Sequence, residues 1–192
     1  MDLADILNSA GIVVLVTTVG NLIAKYLDRN DQYKRSIKKI AEIYDSFNRV
    51  IDESNAERVL VLKSSNGGGK PSPGSDLYVS VIHEMSIKGI DQIKHQHQKI
   101  LIDETYLKII QRVILERSIE IRIEELPENS FLRLLNDQEG FKQLYFFEIK
   151  SNADNYFFGI FSTKVETGFS KPDKLAFKLA IDSIKKVFEN EK

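Results

Sequence analysis

Phe141–Phe188 reads FKQLYFFEIKSNADNYFFGIFSTKVETGFSKPDKLAFKLAIDSIKKVF. Two runs rich in aromatic and β-branched residues, FKQLYFFEIK and NYFFGIFSTK, flank the turn-forming SNAD and predict an antiparallel hairpin. Ser170 then opens a helix with Pro172 in its first turn, and Leu175, Leu179, Ile184, Val187 and Phe188 make its predicted apolar stripe. Tyr145, Phe146, Phe147, Tyr156, Phe157, Phe158 and Phe161 are expected to pack as core; the alternative is a lining for a planar ligand.

Upstream of this hairpin, NSFLRLLND predicts a brief helix capped by Asn129 or Ser130. Leu126-Pro127 ends a short strand, SIEIRIEEL, and ETYLKIIQRVILER has helical spacing through Leu107, Ile110, Val113 and Ile114. Further upstream, RVLVLKSS and LYVSVIHEM predict two paired strands joined by NGGGKPSPGS, which is too rich in Gly and Pro for the interior of an element. Ile37, Ile40, Ile43, Tyr44, Phe47, Val50 and Ile51 recur at three- and four-residue steps on one helical face. The order is therefore helix, two strands, irregular middle, strand, hairpin, helix. That order places helices and strands together in one α+β domain.

Between Asp5 and Lys25 the chain carries no charge and is about as long as a helix that crosses a bilayer core. Ile12–Val16 is apolar all round, as lipid requires, while Asn8, Thr17, Thr18 and Asn21 oppose that reading. The expectation is a membrane anchor through residues 6–24, with a buried helix or a self-associating stalk as alternatives. Asp2 and Asp5 precede the run and Lys25, Arg29, Lys34 and Arg35 follow it, so a single-pass protein would hold its C-terminal domain in the cytoplasm. The predicted division is residues 1–30 as the apolar helix and 31–192 as the domain.

The C-terminal stretch resembles the closing half of a GAF domain. Leu144–Ile149 match the alternating strand of that family, Asn152–Asn155 its turn, and Gly159-Ile160 its second strand; Phe169 and Ser170 are similar to the aromatic and hydroxyl residues that open its last helix. The resemblance covers about 150 residues, Lys34 to Phe188. It implies a central antiparallel sheet with the first and last helices packed on one face. Over the other face, the irregular middle segment closes a small-molecule pocket. It also implies a sensing or regulatory role. The cysteines of the bilin-binding and methionine sulfoxide reductase branches are missing, and NSFLRLLNDQEGF only vaguely matches the cyclic-nucleotide signature.

Composition narrows the chemistry. The 192 residues have a formal net charge of -1, which gives no basic field for nucleic acid, and no cysteine, which removes disulfides, thiolate metal sites and thiol nucleophiles. The loop Asn66–Gly74 is not a P-loop, since Ser64 and Pro71 stand where that motif needs glycine and a hydroxyl residue. Its Asn66, Gly67, Gly68 and Gly69 nonetheless suit an anion nest or a partner contact. Tyr78 and His83, on the strand that follows, complete the candidate ligand- or partner-binding set. His95 and His97 would share a face if the segment were a strand, but lack a third metal ligand by spacing. His83-Glu84 should point to opposite sheet faces, and no nucleophile motif is found. The expectation is a non-enzymatic, homo-oligomeric sensing module with a small-molecule ligand, no assignable cofactor and no metal; the alternative is an assembly module whose pocket binds nothing.

Overall fold

The structure is a computed structural model. It describes residues 3–66, 75–151 and 155–189, with 3–20, 23, 27 and 151 as backbone alone. The chain divides into two units, residues 1–41 and 42–192. In chain order the elements are α1 (Leu3–Glu53), β1 (Arg58–Ser65), β2 (Tyr78–Ser86), β3 (Ile100–Leu101), α2 (Glu104–Glu116) and β4 (Ser118–Arg122). A 3-10 turn at Ile123–Glu125, α3 (Phe131–Glu139), β5 (Gln143–Ser151), β6 (Tyr156–Thr163) and α4 (Lys171–Glu189) follow.

In the second unit the strands form one antiparallel sheet in the order β3-β2-β1-β6-β5-β4. The alternation of each strand sends Leu60, Leu62, Leu144, Phe146, Phe158 and Ile160 to one face, where α2 and α3 cover them. Val59, Val61, Phe147 and Phe161 go to the other face, against Ile43, Phe47 and Val50 of α1 and against α4. First and last helices thus share a sheet face, as expected. The predicted aromatic hairpin is β5-β6, and its rings divide between the two cores.

Local chemistry explains where the helices sit. The Asp103 side chain caps α2 by accepting from Tyr106 N at 2.7 Å, while its second oxygen accepts from Phe131 N at 2.8 Å. One carboxylate therefore joins the starts of α2 and α3. Of the two candidate caps for α3, Ser130 is the one used. Asp173 accepts from Ser170 N at 2.6 Å and from Asn55 N at 3.0 Å, which ties the start of α4 to the end of α1.

That tie also corrects the predicted stripe of α4. With Asp173 held against Asn55, the helix turns Phe177, Ala180 and Ile184 inward, at four- and three-residue steps from the anchor, and leaves Leu175 and Leu179 exposed. In α1, Ile43, Phe47 and Val50 are buried, whereas Ile37 and Ile40 are exposed. The predicted strand after α2 is shorter than read, because its IEE becomes the 3-10 turn.

The expected single-pass membrane placement is corrected. Among the described residues, no helix is long and apolar enough to cross a membrane. From Lys25 onward α1 bears charge on nearly every turn, at Asp28, Arg29, Asp31, Lys34 and Arg35, all exposed. The uncharged run that suggested an anchor lies largely in the part of α1 described as backbone alone.

Candidate functional site

Between the sheet and the α2–α3 side lies a cavity of about 30 Å³. Leu60, Leu62 and Val81 form its sheet wall, and Tyr106, Phe131 and Leu135 its helical wall. Arg58, Asn136 and Ser162 supply polar atoms, and all three are at most 5% exposed. His97 and Ile93 close it from the segment between β2 and β3.

Arg58 opens β1 on the same face as Leu60 and Leu62, because strand positions two apart share a face. Its guanidinium is wholly buried. It donates to the Asp91 carbonyl at 2.6 Å, pairs with Glu139 of α3, and lies 3.5 Å from Glu84 and 5.0 Å from the centre of the Phe141 ring. Glu84 in turn accepts from the backbone N–H groups of Ile93 and Lys94. A buried cation with two carboxylates thus fixes β1, β2, the irregular segment and α3 around one end of the cavity.

Of the sequence-predicted site residues, the described ones, Asn66, Tyr78 and His83, do not line this cavity. Gly67, Gly68 and Gly69 lie outside the described residues, and Asn66 is half-buried at the end of β1. Tyr78 opens β2, half-buried, with its hydroxyl donating to Asp76 at 3.4 Å. His83 is turned away from the cavity by a bulge: Val61 pairs with His83 but Leu62 pairs with Val81, so Ile82 is an extra residue. Without it, His83 would share the cavity face with Val79 and Val81. Instead its ring meets Tyr44 of α1 edge-on at 5.8 Å, and Glu84 takes the opposite face. Burial, helped by the charge of Lys94, holds the His83 imidazole down to about 4, and its Nδ1 is buried without a hydrogen-bond partner.

His95 and His97 lie in a turn and not on a strand. His95 is exposed, whereas His97 Nδ1 is 3.0 Å from the Ile93 carbonyl and its ring packs near Phe131. Among the described residues no group of three His, Cys, Asp or Glu side chains is placed to hold a metal ion. None of the hairpin aromatics lines the cavity; its aromatic walls are Tyr106 and Phe131. Burial and the nearby Asp103 carboxylate raise the Tyr106 hydroxyl well above the ordinary tyrosine range, so it stays protonated at neutral pH. Sequence reasoning missed Arg58. The available clue was a charge two residues before Leu60, on the strand face that Leu60 and Leu62 share.

No protein-family model matches this chain, and no curated protein matches it. Solved structures do. The GAF domain of a two-component sensor histidine kinase from Bacillus halodurans is 15% identical, with a TM-score of 0.54 over 78% of this chain and 92% of that one. The GAF3 domain of a Synechocystis protein, solved in its photoproduct state, is 13% identical, with a TM-score of 0.52 over 79% of this chain and 94% of that one. A GAF domain/HD domain protein from Geobacter sulfurreducens is 7% identical, with a TM-score of 0.53 over 77% and 90%. At these identities the likeness concerns the fold, and the fold of this chain is GAF-like.

Proposed function

We propose that residues 42–192 are a non-catalytic sensing module that responds to a small molecule entering between the sheet and the α2–α3 side. The observation that carries this reading is the cavity itself: apolar walls that converge on the buried polar atoms of Arg58, Asn136 and Ser162. Such a lining suits a small, mostly apolar ligand with one polar end. At about 30 Å³ the cavity holds little more than a water molecule, so this form is the closed one. A ligand would stabilise a more open arrangement already present at low population, and its apparent affinity would fall by that fraction.

The small volume also favours a second reading, an assembly module whose own side chains have filled the pocket. Melting of the full chain against a panel of small organic acids, nucleotides and metabolites separates the two. A ligand at about a hundred times its Kd adds about 2.7 kcal/mol and raises Tm by roughly 5–10 °C. On the sensing reading at least one compound does so, and Val81→Leu, which fills the cavity, abolishes the shift. No shift across the panel, with Val81→Leu simply stabilising, favours assembly.

A further inference from the structure

We infer that the 16–41 segment of α1 pairs with the same segment of a second copy of this chain, as a parallel coiled coil whose register is set by Asn30. Among its described residues, the unit made of residues 1–41 contains a single element, α1. A lone helix has no core and is stable in water only if its apolar stripe is covered. The described stripe is uncovered: Tyr26, Tyr33, Ile37 and Ile40 are 67%, 66%, 51% and 43% exposed, and Leu22 beside it is 62% exposed.

The stripe has the spacing of a coiled-coil seam. Tyr26, Tyr33 and Ile40 recur every seven residues, and Asn30 and Ile37 fall between them at alternating steps of four and three. The same register runs back through Ile23, Val19, Val16 and Ile12 in a continuous helix. A strict seven-residue repeat over four turns of the pattern favours supercoiling against another helix over packing on a sheet, where the repeat follows 3.6 residues. The remaining positions carry Lys25, Asp28, Asp31, Gln32, Arg35 and Lys38, all exposed, with Arg35 paired to Asp28 at 3.9 Å.

A second copy is the occupant the dimensions fit. On two helices the five exposed side chains present on the order of 1,100 Å², close to the ~1,200 Å² at which specific stable interfaces begin, and the stems of Arg29 and Lys34 add to it. Asn30 is the one polar seam residue from Val16 to Ile40. In a parallel pair it meets the Asn30 of the second copy, where two amides bond each other and any slipped register leaves them unpaired. Arg29 then faces the second copy's Lys34, a like-charge pair, so added salt should strengthen association.

Sedimentation equilibrium of the full chain at about 50 µM tests the proposal, with a dimer expected. Ile37→Glu/Ile40→Glu should weaken association by more than about 100-fold without altering the near-UV spectrum of the domain, because both isoleucines are exposed. Asn30→Ile should tighten association but yield a mixture of oligomers. As the chain has no cysteine, Ile37→Cys should form a disulfide-linked dimer and Lys38→Cys should not. A monomeric wild type overturns the proposal, as does a dimer unaffected by Ile37→Glu/Ile40→Glu. Failure of Ile37→Cys to cross-link overturns the parallel pairing.

Discussion

Gly159→Ala should be the most damaging methyl that can be added to the sheet. A Cβ at this position would lie 2.0 Å from Phe147 Cζ and within 2.6 Å of two further atoms of that ring. Ordinary contact needs about 3.5 Å, so the ring would have to move by roughly 1.5 Å. It has nowhere to go: Phe147 is 1% exposed and stacks on Phe161 at 4.7 Å, and Phe161 lies 4.2 Å from Phe177 of α4. Overpacking of this kind costs about 1–3 kcal/mol, and with three ring atoms involved the expected loss is about 3 kcal/mol. In urea, with an m-value near 2 kcal/mol/M, the midpoint should fall by about 1.5 M at unchanged slope. Phe147→Leu alone should cost about 1–2 kcal/mol, yet it shortens the clashing side chain, so the double variant should be more stable than the two losses added together by at least about 1 kcal/mol. A midpoint change under about 0.3 M, or additivity of the two substitutions within about 0.5 kcal/mol, would refute the close-packing argument.

Arg58→Met strands the Glu84 carboxylate in the core and should cost about 3–5 kcal/mol by urea unfolding; Arg58→Met/Glu84→Gln should recover a good part of it. Asp173→Ala removes the joint between Asn55 and Ser170 and should cost about 1–2 kcal/mol. Burial alone would raise the Asp173 carboxyl, but the hydrogen bonds from Ser170 and Asn55 outweigh it and leave the group below its usual range. Its contribution is therefore present above the unfolded value of about 3.9 and is lost as pH falls through the lower folded value, and an acid titration of Asp173→Ala against wild type should show that difference vanish. His83, held at about 4 against about 6.5 when unfolded, binds its proton more readily in the unfolded chain. Stability should thus decline by about 2 kcal/mol, discounted for partial exposure, as pH drops from 6.5 to 4, and His83→Phe should flatten that slope in a pH series of thermal melts.

The helices and long strands were legible because each follows a period. RVLVLKSS, LYVSVIHEM and the aromatic hairpin read as strands from their composition, and Ser130 was already one of two candidate caps. Three kinds of feature escaped. The bulge at Ile82 has no composition of its own, and since strand faces alternate, one inserted residue is enough to move His83 to the α1 side. The rotation of α4 depends on a bond between Asp173 and Asn55, residues 118 positions apart. Arg58 at the cavity end is readable only once Glu84 and Glu139 have been brought to it. Residue types alone therefore point to the Gly-rich loop and β2, whereas the cavity lies beneath α3.

The shared carboxylate of Asp103 joins α2 to α3, so an opening of the cavity by movement of α3, as the proposed sensing role requires, would have to break one of its two bonds. Its bond to Tyr106 belongs to α2 and would stay closed in any movement of α3, whereas its bond to Phe131 would break with one. A hydrogen bond to a charged group contributes about 1.5–3 kcal/mol, so this N–H adds that much to what the Glu139–Arg58 pair and the buried Leu132 already hold in place. Asp103→Asn would loosen that bond without removing the cap, and so adjusts how readily the wall gives way while leaving the wall itself intact.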